Sequence, residues 1–147
     1  MTQEDKSLLL KDLCARLPYG IKCEYDNLRY GGVFKVTDIR YNGYIDGVID
    51  NKRCWAVFDP LELKPYLFPL SSMTEEQKKE ILKGYNLHTY GLCIEITNHS
   101  EGYWDDDNSC NLQDYLWLVD WFNKNHFDYR GLIEKGLAID ATGLNIY

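Results

Sequence analysis

Residues 21–58 hold the pattern that most limits the fold of this chain: four short strand-like segments separated by turn signals. Residues 21–26 alternate apolar and charged side chains, and residues 33–41, 44–50 and 54–58 continue the series. Asn42 and Gly43 form a strong hairpin signal between the second and third segments, because both residues tolerate positive φ. The pattern predicts four antiparallel strands in a meander, a small sheet that can take the form of a partly closed, SH3-like barrel.

A small sheet needs a second element over its apolar face, and an N-terminal helix is the predicted cover. The predicted apolar face of this helix consists of four residues at positions i, i+3, i+4 and i+7: Leu10, Leu13, Cys14 and Leu17. Asp12 and Arg16 lie off that face. Pro18 and Gly20 are expected to end the helix.

The second half of the chain is predicted to be mainly helical. Residues 59–73 contain three prolines and are interpreted as an extended connector. Thr74 and Gln77 have the spacing of a capping box, which predicts a short helix that ends near residue 84. A stronger helix is predicted over residues 111–125, with its apolar stripe formed by Leu112, Tyr115, Leu116, Val119 and Phe122.

A short helix over residues 127–136 and a strand near residues 137–139 complete the predicted elements, with one further strand at residues 92–97. The predicted fold class is α+β: a small antiparallel meander covered by the N-terminal helix and by C-terminal helices. Residues 1–147 are expected to form a single domain, because this length is common for one core. Its parts are the helix and meander (1–58), the connector (59–73) and a helical acidic part (74–147).

The net charge of −7 is unevenly distributed. Residues 1–83 carry thirteen acids and thirteen bases, whereas residues 84–147 carry ten acids and three bases, so the second part holds all seven surplus negative charges. A protein that binds DNA or RNA directly needs a basic stripe that displaces counterions, and the sequence has none. Direct nucleic-acid binding is therefore disfavoured, whereas contact with a basic protein surface is permitted and can be steered by charge.

Several features predict a cytoplasmic protein without a membrane segment. Residues 1–17 lack the basic and apolar regions of a signal peptide. The longest nearly apolar run, residues 115–122, is too short to cross a bilayer. Five widely spaced cysteines, an odd number, are expected to be reduced thiols.

Three stretches together resemble a known family: KDLCARLPYG at residues 11–20, LKPYLFPLSSMTEE at residues 63–76 and DWFNKNHFDYRGLIEKGLA at residues 120–138. They cover about a third of the chain. In this order they resemble a family of small proteins from Bacteroidales phages, prophages and other mobile elements of gut bacteria. The resemblance implies a genomic setting, and no activity or site residue is carried over from it.

The densest polar cluster is Asp105-Asp106-Asp107, with His99 and Glu101 nearby. Its carboxylates could hold a divalent cation, but the run lacks the Gly and Glu positions of an EF-hand loop, so a solvated surface turn is the favoured interpretation. His88, His99 and His126 have no nucleophile at a recognisable spacing, and His126 is interpreted as a helix C-cap. No catalytic residue, metal ligand or cofactor is assigned, and an enzyme is disfavoured.

Aromatic residues beside the acidic run are the favoured interaction surface, because large aromatic side chains framed by charges are typical of protein interfaces. The predicted surface consists of Tyr103, Trp104, Asp105, Asp106, Asp107, Trp117 and Trp121. The preferred function is a non-enzymatic interaction module that binds a host or phage protein with a basic surface. The alternatives are a metal-dependent hydrolase or nuclease accessory that uses Asp105–Asp107, and a homo-oligomeric structural component.

Overall fold

The computed structural model describes residues 2–25, 32–40, 44–49, 52–58, 62–84 and 112–147. The helices are α1 (Gln3–Arg16), α2 (Glu75–Gly84) and α3 (Leu112–Lys124), with short 3-10 helices at Leu17–Tyr19 and Leu70–Ser72. The strands are β1 (Lys22–Tyr25), β2 (Gly32–Ile39), β3 (Ile45–Ile49), β4 (Lys52–Phe58), β5 (Leu63–Pro69), β6 (Phe127–Asp128) and β7 (Ile139–Asp140).

The predicted meander is present. Strands β1 to β4 pair in sequence order, each antiparallel to the next. Position 47 in β3 requires a glycine because neighbouring atoms leave no room for a side chain. A Cβ at Gly47 would lie 2.3 Å from the Lys35 carbonyl oxygen and 2.3 Å from the Phe34 ring.

The α+β class is confirmed, with an open sheet. On the other side of the meander, β1 pairs with β5, so the strands are ordered β4-β3-β2-β1-β5. No pairing joins β4 to β5 among the described strands, and the sheet therefore does not close into a barrel.

Helix α1 covers the sheet as predicted, but through a different face. Thr2 and Asp5 form a capping box at its start, with Asp5 N–H donating to Thr2 Oγ1 at 3.1 Å. The buried residues of the helix are Leu9, Asp12, Leu13 and Arg16. The predicted face was wrong in including Cys14, which is exposed, and in leaving out Asp12 and Arg16, which are fully buried.

Asp12 and Arg16 can lie in the core because each neutralises the other. Arg16 Nε donates to Asp12 Oδ2 at 2.8 Å, and Arg16 Nη2 donates to Asp12 Oδ1 at 3.1 Å. Arg130 adds a second guanidinium, with its Nε 3.2 Å from Asp12 Oδ1. A buried carboxylate is tolerated when it is paired in this way.

Strand β5 lies within the segment predicted as a connector and changes partner along its length. Its residues 63–65 pair with β1, and residues 66–67 pair in parallel with β7. Residues 68–69 pair in parallel with β6. The prolines of this strand make the backbone extended, as predicted, but the segment is part of the sheet.

The segment after α3 differs from the short helix predicted over residues 127–136. It forms β6 and then a series of turns. Gly131 and Gly136 both have a φ of 69°, in the left-handed region, which a continuous right-handed helix cannot include. The strand predicted near residues 137–139 is present as β7, shifted to Ile139–Asp140.

The chain divides into two compact units, named here unit 1 (Met1–Leu67 and Arg130–Tyr147) and unit 2 (Phe68–Tyr129). The core of unit 1 is formed by Leu9, Leu13, Ile21, Cys23, Tyr25, Phe34, Val36, Ile45, Leu63, Leu67, Leu132, Leu137 and Ala138. The core of unit 2 is formed by Met73, Ile81, Leu118, Trp121, Phe122 and Phe127. The single-domain organisation stays a prediction.

The surplus negative charge of the chain lies in one of the two units. Unit 1 contains twelve acids and twelve bases, and unit 2 contains eleven acids and four bases, so unit 2 holds all seven surplus negative charges. Within the described ranges, no helix is long and apolar enough to span a bilayer.

Candidate interaction surface

Helix α3 is built into unit 2 through one face. Leu118, Trp121 and Phe122, spaced i, i+3 and i+4, are buried in the core. The Trp121 ring stacks on Phe127, with centroids 5.6 Å apart and an interplanar angle of 8°. Phe122 meets Phe127 edge to face, with centroids 6.4 Å apart. These offset and edge contacts are the arrangements that aromatic rings prefer, and they fix the rotation of α3 about its axis.

The two tryptophans of this helix have different surroundings. Trp121 is 5% exposed, which leaves little of its ring for a partner. Trp117 is half-buried and packs against the edge of the same core. Of the predicted pair, Trp117 is therefore the one that retains accessible surface.

A second apolar face of α3 is exposed. Tyr115 is 49% exposed and Leu116 is 52% exposed, and the half-buried Val119 lies one turn beyond them. The prediction that Tyr115 and Leu116 belong to the buried stripe was wrong. The exposed Asp120 follows on the same helix, so this face combines apolar and acidic side chains. It is named here the outer face of α3: Tyr115, Leu116, Val119 and Asp120.

The C-terminal end of α3 is held by local hydrogen bonds. His126 follows the helix with a φ of 58°, and its N–H donates to the Asn123 carbonyl at 3.3 Å. The Tyr129 hydroxyl donates to Asn123 Oδ1 at 3.0 Å, and Phe68 N–H donates to the His126 carbonyl at 2.9 Å. His126 therefore lies at the helix end, where it was predicted, and it is buried. These contacts give His126 a structural role.

Helix α2 also belongs to unit 2, and its predicted capping box is confirmed. Gln77 N–H donates to Thr74 Oγ1 at 3.3 Å, and Thr74 N–H donates to Gln77 Oε1 at 2.9 Å. Ile81 of this helix is fully buried in the same core as α3.

Part of the predicted surface lies outside the described residues: Tyr103, Trp104, Asp105, Asp106 and Asp107. His88 and His99 lie there as well, as does the strand predicted at residues 92–97. Residues 85–111 contribute five acids and no bases to the charge of unit 2. Their part in binding stays a prediction. Among the described residues, no group of three or more His, Cys, Asp and Glu side chains is placed to hold a metal ion.

Cys14 and Cys23 are not activated as nucleophiles. Burial raises the pKa of the Cys23 thiol far above its ordinary value, and the negative charge of Asp12 raises it further. Partial burial also raises the pKa of Cys14. Because the thiolate is the reactive form, both groups stay protonated and unreactive at neutral pH.

The exposure of Tyr115 and Leu116 was not predicted from the sequence, which placed both residues in the apolar stripe of the helix. The available signal was that α3 is apolar on two sides, since Leu118 and Trp121 lie opposite the predicted stripe. A helix with two apolar faces must be covered twice or must expose one of them.

Comparison of the chain with models of known protein families, with curated proteins and with solved structures found no match. The resemblance to a family of phage and mobile-element proteins stays a prediction.

Proposed function

We propose that this protein is a non-enzymatic interaction module of a phage or mobile element, which binds a protein with a basic surface through unit 2. The observation that carries the proposal is the outer face of α3, where Tyr115 and Leu116 are about half exposed. This face belongs to the unit that holds all of the net charge.

The apolar part of this face supports binding of a protein. Burying a Leu side chain fully is worth about 1.5–3 kcal/mol, so covering the accessible half of Leu116 is worth about 1 kcal/mol. Tyr is among the residues that most often dominate interface energies, because its ring buries a large area while its hydroxyl finds a polar partner. Adjacent Tyr115 and Leu116 therefore offer an apolar anchor on a helix fixed by its opposite face.

The negative charge of unit 2 favours a partner protein with a basic surface. Seven surplus negative charges repel nucleic acid and attract a basic protein surface, and they raise the rate of encounter with it. Asp120 brings one of these charges to the anchor itself. The partner that fits has an apolar cleft with basic residues around it.

Capture from a lysate of a gut-bacterial host tests the proposal. The Tyr115→Gln/Leu116→Gln double variant keeps helix-compatible residues but removes the apolar anchor. Leu144→Gln is the matched control, because Leu144 is 43% exposed and lies in unit 1. We expect the wild type and the control to retain the same protein, and the double variant to bind it about tenfold more weakly or worse.

Salt provides the second arm of the experiment. Between about 0.1 M and about 1 M salt, the Debye length falls from about 10 Å to about 3 Å, so a charge-steered complex should weaken. Equal capture by the double variant, or capture that is insensitive to salt, would contradict the proposal.

A second copy of this chain is the other occupant that the outer face could accept. Seven like charges on each unit 2 oppose that association. Sedimentation at high protein concentration separates the two cases, since a dimer abolished by the Tyr115→Gln/Leu116→Gln variant would replace the proposed partner. The metal-dependent alternative at Asp105–Asp107 stays a prediction, and calorimetry with Mg²⁺, Mn²⁺ and Ca²⁺ tests it.

A further inference from the structure

The path of the chain makes unit 2 an insertion within unit 1. Unit 1 consists of two pieces, Met1–Leu67 and Arg130–Tyr147, and unit 2 is the continuous stretch between them. The chain therefore leaves unit 1 once, after Leu67, and returns to it once, at Arg130.

The two ends of unit 2 are held side by side. Phe68 pairs with Phe127 and Pro69 pairs with Asp128, in the parallel ladder of β5 and β6. Paired strands lie about 4.8 Å apart, so the chain segments at the two ends of unit 2 lie side by side. Adjacent ends are the geometry in which one folded module can be inserted into a loop of another.

The second piece of unit 1 is fastened to the first piece by contacts within unit 1. Arg130 pairs with Asp12 of α1, and Ala141 N–H donates to the Leu67 carbonyl at 2.8 Å. The Tyr147 hydroxyl donates to the Tyr66 carbonyl at 2.9 Å. Leu132 also contributes a fully buried side chain to the core of unit 1. None of these contacts involves a residue of unit 2.

The two cores are separate sets of residues. Among the described residues, every buried member of the first core lies in unit 1 and every buried member of the second core lies in unit 2. Apolar burial supplies most of the cooperativity of folding, so separate cores allow separate transitions.

We infer that unit 2 is an inserted module that opens as its own cooperative unit while unit 1 stays folded. This inference does not depend on the proposed binding function.

Native-state hydrogen exchange of the full chain tests the inference with a matched pair of variants, Ile81→Ala and Ile21→Ala. Both side chains are fully buried, Ile81 in the core of unit 2 and Ile21 in the core of unit 1. Removing a buried Ile side chain in this way should accelerate the exchange that depends on its core by about 30-fold or more.

The expected patterns are opposite for the two variants. Ile81→Ala should accelerate the amides of α2 and α3 and leave those of α1, β1 and β2 within about threefold of the wild type. Ile21→Ala should accelerate the amides of α1, β1 and β2 and leave those of α2 and α3 unchanged. Equal acceleration of both sets by either variant would show one cooperative unit and overturn the inference.

The wild-type chain gives an independent result if either variant fails to fold. With rising urea, the exchange of amides in unit 2 and in unit 1 should follow two different dependences on denaturant. A single dependence shared by all slowly exchanging amides would overturn the inference as well.

Discussion

Replacing Tyr147 with Phe removes a single hydroxyl group that bridges two strands of unit 1. The antiparallel pairing of β1 with β5 ends at Cys23 and Pro65. One residue further along each strand, Lys22 N–H donates to the Tyr147 hydroxyl at 3.3 Å, and that hydroxyl donates to the Tyr66 carbonyl at 2.9 Å. The hydroxyl therefore connects two backbone groups beyond the end of the ladder.

The protonation state of Tyr147 supports this arrangement. Burial raises the pKa of its phenol well above the ordinary value of 10.0. The hydroxyl therefore keeps its proton at neutral pH and can donate to a carbonyl while it accepts from an amide.

The size of the effect follows from the two hydrogen bonds. Each is worth about 1 kcal/mol net, so Tyr147→Phe should lower the free energy of unfolding of unit 1 by about 2 kcal/mol. The contact between the Lys22 ammonium and the ring, 5.4 Å from Nζ to the centroid, is available to Phe as well. The loss of stability therefore measures the contribution of the hydroxyl group and not that of the ring.

Urea titration followed by the amide NMR signals of β1 and β2 measures this loss. Tyr44→Phe is the matched control, because Tyr44 is 40% exposed, lies in unit 1 as well, and an exposed substitution should change stability by less than about 0.5 kcal/mol. A Tyr147→Phe effect no larger than that of the control would show that the hydroxyl does not stabilise unit 1.

Two further predictions concern charged groups of α1. Asp12→Ala should lower the free energy of unfolding of unit 1, measured by urea titration, by about 3–5 kcal/mol. The substitution leaves Arg16 buried without this carboxylate and removes the pairing of Arg130. A loss below about 1 kcal/mol would contradict this prediction. Hydrogen bonds from Thr2, first from its backbone N–H, lower the pKa of Asp5 below its ordinary value of 3.8. A carboxyl with a lowered pKa stabilises the folded state above that ordinary value and loses this contribution as the pH falls through the lowered pKa. Wild type should therefore be more stable than Asp5→Asn at pH 7, with a difference that shrinks near about pH 2; a difference equal at both pH values would contradict the prediction.

Features encoded over a few residues were predictable from the sequence. The meander follows from the period-2 alternation of residues 21–26 and from the hairpin signal that Asn42 and Gly43 give in the sequence. The start of α2 follows from the pairing of Thr74 with Gln77, which satisfies two backbone donors within four residues.

Features that depend on distant partners were not predictable in the same way. Asp12 and Arg16 lie off the apolar face that the spacing predicts, yet they are buried because they pair with each other and because Arg130 reaches Asp12. The residues around Asp12 give no sign that a partner such as Arg130 lies more than a hundred residues away in the sequence.

The same reason explains the rotation of α3. Periodicity identifies two apolar faces but does not decide which of them is covered. Trp121 stacks on Phe127, and the side of α3 that carries Leu118, Trp121 and Phe122 is therefore buried. Tyr115 and Leu116 stay exposed. For the candidate site, composition predicted an acidic, aromatic part of the chain, and packing determined which described aromatic residues a partner can reach.

Photo-crosslinking at position 115 tests most directly the claim that the outer face of α3 binds a protein partner. A photoreactive phenylalanine analogue replaces Tyr115 in the full chain, and in separate samples it replaces Tyr44, which is 40% exposed and lies in unit 1. After irradiation in host lysate, we expect one specific protein adduct from position 115 that disappears at high salt, and none from position 44. No adduct at position 115, or the same adducts from both positions, would contradict it.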